Sequence, residues 1–317
     1  AEIPRSPVKP KKKLNLMLAM VVGLTLGVGL AFFLEFLDNT IKLPDDIKEY
    51  LKIPFLGLVP AFDSSENHSG VPADLVVIHS PKSTASESFR ALRTGILFSI
   101  ANDVSQVLLI ASSCPDEGKT LCVVNLAATL AQAGSKVIIL GCDMRQPRLH
   151  KIFHIEHEAG ISSILVGKDM LKDAVTSTNI SNLDVIPCGP IPPNPSEILG
   201  SKKMGNLINA LKKKYKVILC DSPPLTAATD AMVLAQIADS VVLLIRAGVT
   251  PRQVVQNSLS QLKTVNAHIL GAVLNGVNTD RESYYYYQYN YYYGEDDQSK
   301  RKINRRKRRS NSYTPTE

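Results

Sequence analysis

The chain has 317 residues, 44% of them hydrophobic and 21% charged, which supports one substantial α/β core and excludes a wholly disordered chain. Its net charge of +7 does not mark a nucleic-acid-binding body: Lys300–Arg309 alone carries eight Lys or Arg and no acid, and subtracting those eight from +7 leaves −1. The five cysteines (Cys114, Cys122, Cys142, Cys188 and Cys220) are odd in number and form no C-x-x-C pair, a pattern that suits reduced, buried thiols better than disulfides or zinc.

From the N-terminus, Glu2–Lys13, with Pro4, Pro7 and Pro10, predicts an extended linker. Leu14 to Leu34 is uncharged and almost wholly apolar, and at about 1.5 Å per residue it spans a hydrocarbon layer of about 30 Å. A signal peptide competes for this segment, since Lys11–Lys13 resembles a charged n-region, but the run is longer than such a core and no small-residue cleavage site follows. A transmembrane helix over residues 14–36 is therefore predicted, with Gly23 and Gly27 forming a GxxxG that supports helix pairing only weakly. The lysines before the span favour a cytoplasmic N-terminus by the positive-inside rule, whereas nucleotide motifs after it require the following side to be cytosolic. A chain opening at Ala1 is expected to be a fragment or processed product whose upstream part sets the topology.

Beyond the span, Asp46–Leu58 predicts a short helix and strand, Asp63–Gly70 a polar linker, and Ser86–Phe98 a capped helix. Apolar strands then alternate with helical stretches: Val107–Ala111, the helix Thr120–Ala133, Val137–Leu140, Val217–Cys220, Val241–Ile245 and Ile269–Leu274. Short β-rich runs separated by helices imply a parallel sheet covered on both faces.

Ser113-Cys-Pro-Asp-Glu-Gly118-Lys119-Thr120 follows one of these strands and opens a helix, the context a phosphate loop requires. In such a loop backbone N–H groups face the phosphates, Lys119 reaches the β and γ oxygens, and the Thr120 hydroxyl holds Mg²⁺. The first glycine of G-x4-G-K-[ST] is replaced here by Ser113. Asp143 and Asp221 each end a later strand, and at the carboxyl ends of an open α/β sheet both converge on the loop's crevice. One Mg²⁺ needs one or two carboxylates beside phosphate and water. The expected fold is thus an α/β, P-loop NTPase-like parallel sheet with helices on both faces, preceded by one transmembrane helix and followed by a disordered Tyr-rich tail. The expected boundaries are a linker at 1–13, the helix at 14–36, a juxtamembrane segment at 37–79, a nucleotide domain at 80–280 and a tail at 281–317.

Tyr284, Tyr285, Tyr286, Tyr287, Tyr289, Tyr291, Tyr292 and Tyr293 place eight of eleven tyrosines inside ten residues. A continuous run would aim side chains to every side, which no packed core explains. Phosphoacceptors, a sticky low-complexity tail and a base-stacking platform are the alternatives; Glu295, Asp296 and Asp297, between the aromatics and the basic run, count against nucleic acid.

The span, the phosphate loop, the Asp143 strand, Asp221-Ser-Pro-Pro224 and the terminal tyrosines together resemble bacterial tyrosine kinases, the autokinases of exopolysaccharide and capsule export. Ser86-Glu87-Ser-Phe-Arg90-Ala-Leu-Arg93 matches that family's E-x2-R-x2-R helix. The resemblance implies that Glu87, Arg90 and Arg93 join subunits into a homo-oligomeric ring; solvated i,i+3 ion pairing is the alternative. Pro193–Glu197 and Gly271–Asn275 are similar to further family segments, and Asn275 stands where related ATPases contact adenine. The N-terminal part looks like the second transmembrane helix of a polysaccharide chain-length regulator.

The resemblance implies an ATP- and Mg²⁺-dependent protein tyrosine kinase at a bacterial inner membrane, with its kinase domain and tail cytoplasmic. Lys119, Asp143 and Asp221 are the expected catalytic residues, and Thr120, Asp143 and Asp221 the metal ligands. Ser113, Glu117, Gly118, Lys119, Thr120, Leu121, Arg145 and Asn275 are the expected nucleotide contacts. Expected partners are neighbouring subunits, the polysaccharide polymerisation and export machinery, a phosphotyrosine phosphatase and membrane lipid, with no nucleic acid. Lys300–Arg309 serves either as a lipid contact or as a solubilising tail. Where relatives carry D-x-D-x-R, this chain has Gly141-Cys142-Asp143-Met144-Arg145. The family's first aspartate is the one held to deprotonate the incoming tyrosine, so slow autophosphorylation is expected. A non-catalytic ATP-binding scaffold and a partitioning-type ATPase are the alternatives.

Overall fold

The computed structural model describes residues 11–62, 74–99, 104–156 and 158–278. The chain divides into two compact units, Ala1–Thr40 and Ile41–Glu317. In the first, a helix runs from Lys12 to Leu37, and Lys13–Leu37 is long and apolar enough to cross a membrane. Its apolar side chains are exposed along its length, as for Phe32 and Leu24. The predicted span thus falls on one continuous helix.

The second unit is built on eight strands: β1 (Phe55–Pro60), β2 (Gln106–Ser112), β3 (Val137–Gly141), β4 (Thr176–Ser177), β5 (Leu183–Ile186), β6 (Val217–Asp221), β7 (Ser240–Arg246) and β8 (Ile269–Val277). Their order in the sheet is β1-β8-β7-β2-β6-β3-β5-β4, and every pairing is parallel except β4 with β5. Parallel strands cannot be joined by tight hairpins, so crossovers lay helices over both faces. Side chains alternate accordingly. Val107, Leu109 and Ala111 of β2 enter one apolar cluster while Leu108 and Ile110 enter the other, all five with no exposed surface. Replacing Leu109 by Ala is expected to cost about 2–5 kcal/mol in urea denaturation, the usual toll of a buried cavity.

Two expectations change. Residues 37–79 were assigned to a juxtamembrane segment outside the domain, yet β1 lies within the sheet, pairing Leu58 with Leu274 of β8. Ile41, Ile47 and Leu51 are buried in the same core, because an apolar strand and three large aliphatic side chains gain more from burial than from solvent. The short β4 and β5, absent from the expected strands, extend the far edge beyond β3. The helix expected at Ser86–Phe98 occupies Thr84–Ser99, and that at Thr120–Ala133 occupies Lys119–Gln132. The Asp63–Gly70 linker and the 281–317 tail with its tyrosines lie outside the described residues.

Candidate nucleotide site

The carboxyl ends of β2, β3 and β6 lie side by side, with Asp221 opposite both Ile110 and Gly141 in register. After β2 the chain turns through Ser113–Gly118 into the Lys119–Gln132 helix. Two residues of this turn adopt positive φ, Asp116 at 57° and Gly118 at 89°. Glycine suits the second position for another reason: a Cβ there would stand 2.4 Å from Asn275 Nδ2.

Lys119 is buried, and its ammonium donates to Ser112 Oγ at 2.8 Å. Thr120 Oγ1 donates to Asp221 Oδ2 at 2.9 Å. The other carboxylate oxygen of Asp221 is buried without a hydrogen-bond partner, and burial, reinforced by the nearby Asp143 charge, pushes this carboxyl up from 3.8 to about 7. A hydroxyl and a carboxylate are the hard oxygen donors that Mg²⁺ takes, so this pair with its orphaned Oδ1 fits a divalent cation. The Ser113 hydroxyl is likewise buried and unpartnered at the head of the loop. Leu121, in the first turn of the helix, is half-buried.

Asp143 lies two residues beyond β3, where its Oδ1 accepts the backbone N–H groups of Arg145 at 3.1 Å and Gln146 at 2.9 Å. Three of the expected nucleotide contacts have protein partners. Glu117 is buried and turned inward, accepting from Cys114 N at 2.9 Å and from the Thr250 hydroxyl. Asn275 donates its amide to Glu117 O at 2.8 Å, tying β8 to the loop. Arg145 pairs with Asp230 through Nε at 2.9 Å and Nη2 at 3.3 Å.

Other groups hold the loop that no local motif announces. Arg246 donates to Asp116 O at 2.9 Å, and Ser113 O accepts both the backbone N–H and the hydroxyl of Thr226, at 3.2 and 2.6 Å. Thr226 and Thr250 lie 113 and 133 residues from their partners, so only the sheet order brings them together. Away from the site, Glu87 and Arg90 pair with each other on the Thr84–Ser99 helix, and Arg93 donates to Thr129 O at 3.1 Å.

Gly141 is close-packed. A Cβ there would lie 2.9 Å from Cys188 N and 3.2 Å from Pro187 C. Backbone leaving β5 therefore fills the space that a side chain at position 141 would enter.

Comparison with known proteins places this architecture. A family model described as an AAA domain matches residues 106–273. The tyrosine-protein kinase YwqD of Bacillus subtilis (strain 168) is 36% identical over 215 residues, 68% of this chain and 91% of that protein. The chain belongs to the bacterial tyrosine-protein kinase family. The tyrosine-protein kinase Etk of Escherichia coli (strain K12) is 32% identical to this bacterial tyrosine kinase over 86% of the chain, which spans 39% of Etk's length. The solved kinase domain of E. coli Etk superposes with a TM-score of 0.70 at 31% identity, covering 75% of this kinase and 95% of that domain. The chimerical protein CapA2B2 superposes with a TM-score of 0.68 at 34% identity, covering 74% and 99%.

Proposed function

We propose that the chain is an ATP-dependent tyrosine autokinase of the bacterial inner membrane that phosphorylates the tail tyrosines of a neighbouring subunit. The observation that carries this reading is the gathering of Lys119, Thr120 and Asp221 on one loop and strand end, in a chain with eight tyrosines in ten residues.

In this account the helix N-terminus and loop N–H groups hold the phosphates, and Lys119 leaves Ser112 for the β and γ oxygens. Thr120, Asp143 and Asp221 would hold Mg²⁺, which would supply charge neutralisation at the transferred phosphate. Glu117, Asn275 and Thr226 keep the loop in shape. Asp143 and Lys119 thus act on the nucleotide, while the tyrosine enters from another copy. Glu87 and Arg90 exchange their mutual pair for contacts across a ring, and each added phosphate brings about −1.5 to −2 charge that repels Glu295–Asp297 and loosens it. A phosphotyrosine phosphatase resets the cycle. Assembly and dispersal of the ring regulate polysaccharide polymerisation and export, and Lys300–Arg309 rests on anionic lipid.

Gly141 favours a second reading, an ATP-binding scaffold, since general-base help is typically worth about 10²–10⁴-fold and glycine provides none. Gly141→Asp is expected to speed tail phosphorylation while losing about 1–3 kcal/mol of stability as the Pro187–Cys188 backbone is displaced. Tail labelling no faster than in the unsubstituted chain contradicts the base account. The kinase reading itself is tested with purified protein and γ-labelled ATP. Label in phosphotyrosine within Tyr284–Tyr293 supports it, released phosphate alone supports a partitioning-type ATPase, and binding without turnover supports the scaffold.

A further inference from the structure

Asp230 makes no bond to the phosphate loop, yet it is fully buried and accepts three side-chain hydrogen bonds. Arg145 donates through Nε to Oδ2 at 2.9 Å and through Nη2 to Oδ1 at 3.3 Å, and the Ser196 hydroxyl donates to Oδ1. Thr229 Oγ1 in turn donates to Ser196 Oγ at 3.3 Å. Asp230 also opens the Asp230–Ile237 helix, an end at which the helix dipole suits an acidic side chain.

The consequence lies at Arg145. Its side chain is 44% exposed, and a long side chain at such a position ordinarily samples many rotamers. The two-point fork onto Asp230 fixes it, since guanidinium and carboxylate planes match only in one arrangement. Fixing Arg145 also fixes its backbone N–H, and that N–H, with the one of Gln146, is what Asp143 Oδ1 accepts. A continuous path therefore runs from a buried acid through an arginine to the carboxylate beside Asp221. Ser196 joins the Pro195–Leu199 helix to the same acid, so three segments remote in sequence close on one point.

We infer that Asp230 is a positioning residue that, through Arg145, orients the Asp143 carboxylate toward the metal side of the nucleotide site, with Ser196 completing the lock. This rests on the proposed reading that Asp143 and Asp221 hold Mg²⁺. Groups that orient metal ligands from behind are worth about 10–100-fold in metal affinity.

The test uses the full chain in detergent and a fluorescent ADP, titrated without metal and then with Mg²⁺ at fixed nucleotide. Asp230→Asn is expected to leave metal-free ADP affinity unchanged and to weaken the Mg²⁺ response by about 10-fold. Arg145→Ala, which leaves the buried Asp230 without its counter-charge and is therefore first checked for a retained fold by circular dichroism, is expected to give the same loss, and the double variant no more than either alone. Arg145→Lys, which keeps the charge without the fork, is expected not to restore it. An unchanged Mg²⁺ response in Asp230→Asn overturns the inference, as does an equal loss of metal-free ADP binding, additive losses in the double variant, or no Mg²⁺ effect in the unsubstituted chain. Failure of the kinase reading is seen separately, as absent phosphotyrosine with ATP while these binding results stand.

Discussion

Lys119→Met is expected to lower phosphotyrosine formation by about 10²–10³-fold, the usual cost of removing one preorganised donor from a developing charge. Methionine keeps the unbranched stem that lies buried at the start of the helix, so the fold tolerates the exchange. What is lost is an ammonium whose partner is a neutral hydroxyl, Ser112 Oγ at 2.8 Å. Because that partner carries no charge, a phosphate oxygen displaces it readily, and the lysine is poised rather than committed. The check is the initial rate of label transfer from γ-labelled ATP, with circular dichroism showing the fold retained. Labelling of the Lys119→Met chain at the unsubstituted rate would place the chemistry elsewhere.

Asp221→Asn is expected to stabilise the nucleotide-free protein while abolishing its Mg²⁺-dependent activity. Burial raises the Asp221 carboxyl from 3.8 to about 7 in the folded chain. Between those values the native state keeps a proton that the unfolded state has released, so stability from this group is fully present below about pH 4 and is lost as pH rises through about 7. The cost at pH 8 is on the order of 4 kcal/mol, at about 1.4 kcal/mol for each tenfold change in proton affinity. Asparagine never ionises and still accepts from Thr120. The two proteins should therefore match in urea denaturation at pH 4 and diverge by pH 8, the variant being the more stable. Equal stability at both pH values would mean that Asp221 is not strained by its burial. Saturating Mg²⁺ and ADP should close the gap at pH 8 by restoring a counter-charge to the acid.

How far the sequence carries depends on distance along the chain. The phosphate loop is contiguous, and a strand, a turn and a helix within thirty residues announced themselves through Val107–Ala111 and Gly118-Lys119-Thr120. Asp221 was legible because it ends a strongly apolar strand. The supports were not: Thr226 and Thr250 are ordinary polar residues until the sheet order sets them against Ser113 and Glu117. Asp230 has no motif, and its partners are 85 and 34 residues away. The strand expected within Asp46–Leu58 is β1, but it was grouped with the juxtamembrane segment because an apolar run after a span looks the same inside a sheet or beside a membrane, and only pairing with β8 decides. Glu117 was expected at the nucleotide from its place in the loop, Arg145 and Asn275 from their places after the strands that end beside it. What those places do not specify is the protein partner each side chain takes: Cys114 N–H for Glu117, the loop backbone for Asn275 and Asp230 for Arg145. Gly141 carried half its meaning: a missing carboxyl is visible in the sequence, but the Cys188 backbone closed over that place is not.

The central claim, that one subunit's loop phosphorylates another's tail, is met most directly by mixing two variants. A Lys119→Met chain supplies an intact tail without a working site, and a chain lacking residues 281–317 supplies the site without a tail. With γ-labelled ATP, the account predicts phosphotyrosine within Tyr284–Tyr293 of the Lys119→Met chain, growing with the concentration of its partner. An unlabelled Lys119→Met chain beside a partner that binds ATP or releases phosphate would contradict it.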